Sequence, residues 1–175
     1  MRRVVFLILV LLAAGAARAE STVEIHFSPV ENLEKIDVGL ITRATTTIDM
    51  AAYVLSDWAV IDALKAAQQR GVALRILLDA SQNHAYDKLI DLTDAIRVKR
   101  SNVFMHLKSY TVDGKLLRAG AANFSASGLK HQDNELLILT DPAVVRSFGA
   151  RFEDMWQKAK PIYEHERAVS AMAPK

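Results

Sequence analysis

The sequence predicts an α/β fold, namely a layered α-β-α domain with a mixed, mostly buried sheet covered by helices. Short apolar runs typical of buried strands alternate along the chain with longer segments in which apolar residues recur at helical spacing. Such alternation places a sheet between helical layers. The sequence has no internal repeat, and 175 residues are enough for one domain with a substantial core.

Strands and helices are expected to alternate in the first half of the chain. Ser56 or Asp57 is the expected N-cap of the second helix, because either side chain can accept a hydrogen bond from the first-turn backbone. Gly71 suits the position just after that helix, where left-handed backbone is common. The expected elements are a strand at 22–27, a helix at 31–44, a strand at 45–55, a helix through 59–67 and a strand at 72–79.

The second half contains a hairpin signal, since Asp113-Gly114 lies between two strand-like runs. Pro142 is expected to begin the final helix, in which Phe148, Phe152 and Trp156 have the spacing of core residues. The expected elements are a helix at 86–96, short strands near Val98 and at 103–105 and 109–112, strands at 115–119 and 135–140, and the final helix.

The first 19 residues have the pattern of a secretory signal peptide. Two arginines precede an unbroken apolar run at 4–12, and residues 17–19 match an A-x-A cleavage site before Glu20. The run is shorter than the ~20 apolar residues that span a membrane, so no stable anchor is expected after cleavage. Export across the inner membrane to the periplasm is the expectation, and the chain has no cysteine for disulfides there.

Loss of this leader changes the charge. The full chain has 22 basic and 20 acidic residues, and removal of three arginines leaves 19 against 20, so global charge gives no support for nucleic-acid binding. The local distribution of basic residues does give some support for nucleic-acid binding, because a basic strip can bind a polyanion. An ordinary solvated strand face is the alternative. The strip consists of Arg97, Lys99, Arg100, Lys108, Lys115 and Arg118, with one acid among them.

Polar residues with a chemical role are concentrated between His106 and Glu135. His106 and Lys108 are two apart on an expected strand, so their side chains point to one face. A histidine and a lysine together, with a carboxylate and amides nearby, can attack a phosphodiester without a metal. The imidazole is then the nucleophile, the ammonium and amides hold the phosphoryl oxygens, and the carboxylate orients the ring.

The spacing of this group resembles the HKD motif of the phospholipase D superfamily, and is most similar to the small single-motif bacterial endonucleases of that group. In this chain the motif is His106-x-Lys108-x4-Asp113-x6-Gly120-x-x-Asn123, followed by Asn134-Glu135. The resemblance implies a phospholipase D-like fold. The resemblance covers about residues 22–160, and the expected organisation is a signal peptide at 1–19, a single phospholipase D-like catalytic domain at 20–160 and a loose C-terminal tail at 161–175.

The resemblance also implies roles for the motif residues. His106 becomes phosphorylated, Lys108 and Asn123 hold phosphoryl oxygens, and Glu135 fixes the His106 tautomer. Asp113 is included in the catalytic set. We interpret it as structural support at the turn that pairs with a basic neighbour.

Two further positions concern the substrate-binding backbone. Gly120 is expected to allow close backbone approach. Ala121 replaces the hydroxyl residue that the family usually has there, and Ser125 is the candidate to supply a hydroxyl to the substrate instead. For Asn123, capping of the short segment 124–128 is the alternative to phosphate contact.

The family builds its active site from two motifs that face each other, whereas this chain carries one. The resemblance therefore implies a homodimer in which His106 of each subunit meets the other across a two-fold axis. One imidazole attacks phosphorus and the other protonates the leaving oxygen, which histidine can do in both forms near neutral pH.

Other histidines give weaker signals. His84 follows the third expected strand, where α/β proteins place ligand loops, although ordinary loop surface is the favoured interpretation. His26, His131 and His165 are not spaced as metal ligands, and the chain has no H-E-x-x-H or calcium-loop motif, so no metal or cofactor is expected.

The expected function is a secreted phosphodiesterase, specifically an endonuclease that cleaves DNA or RNA without sequence preference, because backbone chemistry needs only phosphate contacts. A phospholipase D that cleaves phospholipid head groups is the alternative within the same chemistry. A weakly active module that binds polyanions is the alternative from another class.

Overall fold

The computed structural model describes residues 21–163, so the predicted signal peptide and residues 164–175 of the predicted tail lie outside the described residues. Eight strands form one sheet in this range: β1 (Val23–Ser28), β2 (Thr47–Ala52), β3 (Ala73–Asp79), β4 (Ile96–Lys99), β5 (Lys108–Val112), β6 (Leu116–Gly120), β7 (Asn134–Leu139) and β8 (Lys160–Pro161). The helices are α1 (Leu33–Thr42), α2 (Trp58–Gln69), α3 (Ala126–Lys130), α4 (Pro142–Lys158) and a 3₁₀ helix (Ile90–Ala95).

The sheet is mixed, with strand order β1-β7-β6-β5-β2-β3-β4-β8. The central strands β2, β3 and β4 are parallel, and the other pairs are antiparallel. The larger core lies between one face of the sheet and helices α1 and α2, whereas α4 packs on the other face through Phe152, Met155 and Trp156. The predicted α-β-α layering and mixed, buried sheet are therefore confirmed.

Local sequence signals explain several element ends. The Asp57 carboxylate accepts a hydrogen bond from the Val60 backbone at 3.1 Å and caps α2, as predicted. Gly71 has φ +90°, which fits its predicted place after that helix. Asp113 and Gly114 have φ values of +54° and +62°, so this dipeptide makes the predicted hairpin turn between β5 and β6.

Two predicted elements differ from the structure. The expected helix at 86–96 is reduced to the 3₁₀ helix, in which the Thr93 hydroxyl donates to the Ile90 carbonyl at 3.1 Å and competes with helical bonding. The predicted strand at 103–105 is wrong, because the Lys99 ammonium and the Ser101 hydroxyl each bind the Val103 carbonyl at 2.6 Å and hold a loop. β5 consequently begins at Lys108, just after His106.

The described chain continues past the predicted domain end at residue 160. Strand β8 pairs with β4 through Lys160 and Pro161, and Ile162 is buried in the main core. No helix within residues 21–163 has the length and apolar character needed to cross a membrane.

Candidate active site

His106 lies just before β5 and Lys108 is the first residue of that strand, and the two side chains lie together, as their spacing predicts. The Lys108 Nζ atom is 3.1 Å from each ring nitrogen of His106 and donates to the His106 carbonyl at 2.8 Å. The imidazole is exposed, whereas Lys108 is only 6% exposed. An ammonium can only donate, so only the nitrogen of a neutral imidazole that carries no proton can accept from Lys108. The pair thus presents an accessible imidazole beside a fixed cation.

Tyr53 completes this arrangement and is absent from the sequence-based set. Its ring centroid lies 4.3 Å from that of His106, and the Lys108 ammonium lies 4.4 Å from the centre of the same ring. The Tyr53 backbone N–H donates to the Leu107 carbonyl at 2.8 Å. Tyr53 therefore supports both side chains, one by ring packing and the other by a cation–π contact.

Burial changes the acidity of the lysine. Removal of the ammonium from water lowers the pKa of Lys108 from 10.5 to about 8. The side chain remains mostly charged at neutral pH, so it can attract a phosphoryl oxygen, but it lies close to losing that charge in mildly alkaline solution.

Asn123 follows β6, and its Oδ1 atom is buried without a hydrogen-bond partner in the described part of the chain. A buried polar group without a partner costs about 1–3 kcal/mol, so its availability favours a ligand-binding role. Asn123 is not the cap of α3. Ser125 is, because its hydroxyl oxygen accepts from the Gly128 backbone at 3.1 Å, and its own O–H remains able to donate to a substrate.

Gly120 has φ +141°, and a Cβ atom at this position would lie 2.3 Å from the Glu135 carbonyl oxygen. The close approach at Gly120 is thus to the backbone of β7, and its predicted role in binding substrate stays a prediction. The next residue, Ala121, donates its N–H to the same carbonyl at 3.2 Å, which fixes the turn before Asn123.

Glu135 is the second residue of β7, beside this turn. Among residues 21–163, no hydrogen bond joins the Glu135 carboxylate to the His106 ring, so the predicted tautomer-fixing contact is not made within one chain. The neighbouring Asn134 amide donates to the Gly128 carbonyl at 2.9 Å, which links β7 to α3.

Asp113 lies at the hairpin turn away from the imidazole. Its carboxylate accepts from the backbone of Thr45, Thr46 and Thr47 and from the hydroxyls of Thr45 and Thr46, at 2.7–3.1 Å. The predicted pairing with a basic neighbour is wrong, since short polar groups before β2 satisfy the carboxylate. Burial acts to raise the pKa of Asp113, but these hydrogen bonds outweigh it and hold the pKa well below its usual range.

His84 is neither a surface residue nor part of the site. It is buried, its Nδ1 accepts from the Leu55 backbone at 3.2 Å, and its Nε2 donates to the Asp79 carbonyl at 2.9 Å. The loop-surface interpretation is wrong, because the imidazole bridges two backbone segments inside the protein.

The predicted basic strip is not a continuous surface. Arg118 is completely buried, and the Arg97 guanidinium lies 4.6 Å from the Trp156 ring. Lys99 does line the same groove as His106, which has a volume of about 410 Å³ and which Arg151 of α4 also lines. Arg151 is a cation that local sequence patterns could not connect with His106. No group of three or more histidine, aspartate or glutamate side chains in the described range is arranged to hold a metal ion.

Comparison with known proteins agrees with the motif. The family described as "Cardiolipin synthase, PLD-like domain" matches residues 38–156. A phospholipase D of Rickettsia felis is 33% identical over 132 residues, which cover 73% of this chain and 66% of that protein. A mitochondrial cardiolipin hydrolase of Chlamydomonas reinhardtii is 27% identical over 121 residues, which cover 67% of this chain and 54% of that protein. The chain thus spans roughly half to two thirds of the length of these curated relatives.

Two solved structures share the fold. Nuc of Salmonella typhimurium, a phospholipase D family member, has a TM-score of 0.72 at 24% identity, over 81% of this chain and 97% of that chain. NucT of Helicobacter pylori has a TM-score of 0.73 at 20% identity, over 81% and 99%. With the family match and the Rickettsia relative, these findings establish that the chain belongs to the phospholipase D superfamily, as a phospholipase D-like domain.

Proposed function

We propose that this protein is a phosphodiesterase that acts through a phosphohistidine on His106. The observation that carries the proposal is the exposed imidazole held against the buried Lys108 ammonium. In the first step the ring nitrogen bonds to phosphorus while the bond from phosphorus to the leaving oxygen breaks, and Lys108 and Asn123 stabilise the charge on the phosphoryl oxygens. Water then cleaves the nitrogen–phosphorus bond and releases the second product.

The reaction needs a second acid–base group, because the leaving oxygen must gain a proton and the attacking water must lose one. A homodimer supplies it, with His106 of a second subunit protonating the leaving oxygen and later accepting a proton from water. The same arrangement offers Glu135 an imidazole that it does not contact within its own chain.

An exposed apolar surface supports dimer formation. Val23, Ile25 and Phe27 of β1 are 50–68% exposed, and Phe27 lies opposite Glu135 in the β1–β7 register, so this apolar surface continues to a site residue. Replacement of Phe27 by Glu is expected to yield a folded monomer with little activity, measured by sedimentation and rate assay. A fully active monomer at assay concentration would refute the shared site.

Nucleic acid is the proposed substrate, cleaved without sequence preference. Lys99 and Arg151 line the groove beside His106, which gives the site cations for backbone phosphates without a base-reading element. The test is incubation of the protein with plasmid DNA, RNA and phospholipid vesicles in chelator, alongside His106→Ala. Cleavage of plasmid by the natural sequence alone supports the proposal, whereas turnover of phosphatidylcholine with intact plasmid refutes the nuclease assignment.

Phospholipid is the second candidate substrate, because Val103 and Phe104 are 73% and 62% exposed in the loop that leads to His106. Such side chains can enter a lipid interface next to the reacting group. The names phospholipase D and cardiolipin hydrolase of the curated relatives agree with this candidate. The substrate comparison above separates the two.

A polyanion-binding module with weak activity is the third candidate, and Ala121 in place of a hydroxyl residue is the feature that favours it. This candidate predicts DNA retention without cleavage and no change in DNA retention on His106→Ala replacement.

We further propose that the protein is exported to the periplasm and needs no metal. Cell fractionation tests the export. Loss of cleavage in chelator, with rescue by a divalent ion, would refute metal independence.

A further inference from the structure

Among residues 21–163, the largest fully buried charged side chain is that of Arg118 on β6. Its Nε and Nη2 atoms donate to the two carboxylate oxygens of Asp37 from α1, each at 2.9 Å. Both side chains have no solvent exposure. The ion pair therefore lies wholly inside the larger core, where an unpaired charge would be very costly.

The third nitrogen of Arg118 does not contact the carboxylate. Nη1 donates to the Lys108 carbonyl at 2.7 Å and approaches the Ala122 carbonyl at 3.4 Å. Lys108 carries the ammonium of the site, and Ala122 immediately precedes Asn123. A single planar guanidinium thus joins the Lys108 carbonyl to the carbonyl of the residue before Asn123.

Other contacts fix the orientation of this guanidinium. The Tyr110 hydroxyl donates to the Asp37 carboxylate at 2.8 Å, and Tyr110 lies opposite Arg118 in the β5–β6 register. Burial raises the pKa of Tyr110 well above its usual value, so this hydroxyl keeps its proton. The Phe124 ring lies 4.6 Å from the guanidinium carbon. These contacts hold the guanidinium in one orientation, with Nη1 directed toward the Lys108 carbonyl.

Stability alone is a weak reason for such a pair. The desolvation of two charges offsets their attraction, and replacement by apolar residues of similar volume is often neutral or stabilising. Apolar residues could not, however, donate to the two carbonyls. What the charged pair supplies is a rigid, directional link between β5 and the turn after β6.

We infer that Arg118 and Asp37 form a positioning unit, which ties the Lys108 and Ala122 carbonyls together and so sets the ammonium relative to the Asn123 amide. This inference rests on the proposed phosphodiesterase function. Neither residue touches substrate. A misplacement of about 1 Å at a reacting group costs on the order of 100-fold in rate, so loss of the link should appear in kcat.

The test replaces the pair by apolar residues in one step. Asp37→Leu with Arg118→Met removes one positive and one negative charge, so the net charge near Lys108 is conserved. The matched control is Asp49→Leu with Arg75→Met, which removes the bidentate pair of 2.7 Å contacts on the opposite sheet face. Both double variants are assayed with bis(p-nitrophenyl) phosphate, a substrate that does not depend on nucleic-acid or lipid binding.

The inference predicts that the Asp37/Arg118 variant folds but loses at least tenfold in kcat, with a smaller change in KM. Its alkaline activity limit should also move toward the ordinary lysine value, because loss of the Arg118 bond to the Lys108 carbonyl lets the start of β5 shift and exposes the ammonium. The Asp49/Arg75 variant should keep kcat within twofold and keep the natural alkaline limit. A folded Asp37/Arg118 variant with unchanged kcat and unchanged alkaline limit overturns the inference.

Two further measurements keep the test decisive. If the double variant does not fold, Arg118→Lys retains the charge but not the fork, and a folded Arg118→Lys protein with natural kcat and alkaline limit also overturns the inference. Titration of the Lys108 amine by NMR without substrate separates this inference from the proposed function. Natural protein that is inert toward phosphodiesters refutes the function. In that case kcat cannot be compared, and an identical Lys108 titration in the natural and variant proteins refutes the positioning role.

Discussion

Alkaline inactivation through Lys108 is the sharpest consequence of the site geometry. Burial lowers the pKa of this ammonium from 10.5 to about 8, and the charged form is the one that attracts the phosphoryl oxygens. Half of the side chain is charged at pH 8 and about one eleventh at pH 9, so kcat/KM should fall about fivefold between pH 8 and pH 9 and about tenfold more by pH 10. Initial rates on a chromogenic phosphodiester from pH 6 to pH 10 measure this profile, because kcat/KM reports groups of the free enzyme.

Lys108→Arg is the control for this profile, since a guanidinium keeps its charge throughout the range. The variant should be slower overall, because the flat fork does not reproduce the contacts of an ammonium, but its alkaline limit should disappear. An alkaline limit that persists in Lys108→Arg would belong to another group. A natural protein with constant kcat/KM from pH 8 to pH 10 would refute the role assigned to Lys108.

Three other predictions concern stability. Lys108→Met should abolish turnover yet raise the free energy of unfolding at pH 7, because burial disfavours the protonated form of the natural side chain. This gain in stability should vanish as the pH rises from about 8 toward 10.5, where the natural lysine loses its proton in the folded protein. Denaturant unfolding at several pH values checks it. Asp113→Ala should cost about 2–3 kcal/mol at neutral pH through lost charge-assisted hydrogen bonds, and less as pH falls below about 4, where the unfolded carboxyl protonates and the natural stabilisation is lost; an unchanged unfolding midpoint at pH 7 would contradict it. Gly120→Ala should destabilise strongly, since the new methyl group would collide with the Glu135 carbonyl, and Gly114→Ala, which meets no atom within 4 Å but has φ +62°, provides the comparison for backbone strain alone.

The features that the sequence predicts well are those carried by neighbouring residues. His106 and Lys108 are two positions apart, so their proximity follows from the geometry of an extended chain. The hairpin at Asp113-Gly114 and the cap at Asp57 are likewise local, and each depends on the chemistry of a short segment. The order of strands and helices sufficed for the layered fold because it reflects which segments can be buried.

The features that the sequence does not predict depend on residues far apart in the chain. Asp37, Tyr53 and Arg151 reach the site region from α1, from the end of β2 and from α4, and no local pattern connects them with residue 106. Charge counting also failed to detect burial, since Arg118 belongs to the predicted basic strip but has no exposed surface. The apolar residues at 103–105 resembled a strand, but polar contacts of Lys99 and Ser101 hold them in a loop.

The central claim is that His106 carries the phosphoryl group during turnover. Acid quench would destroy a phosphorus–nitrogen bond, so the reaction of the protein with a ³²P-labelled phosphodiester should be stopped in alkaline denaturant and the label mapped by proteolysis. The account predicts label on the peptide that contains His106, none in His106→Ala, and loss of label during a chase with unlabelled substrate. Natural protein that turns over the substrate at full rate without any label on this histidine would contradict the account.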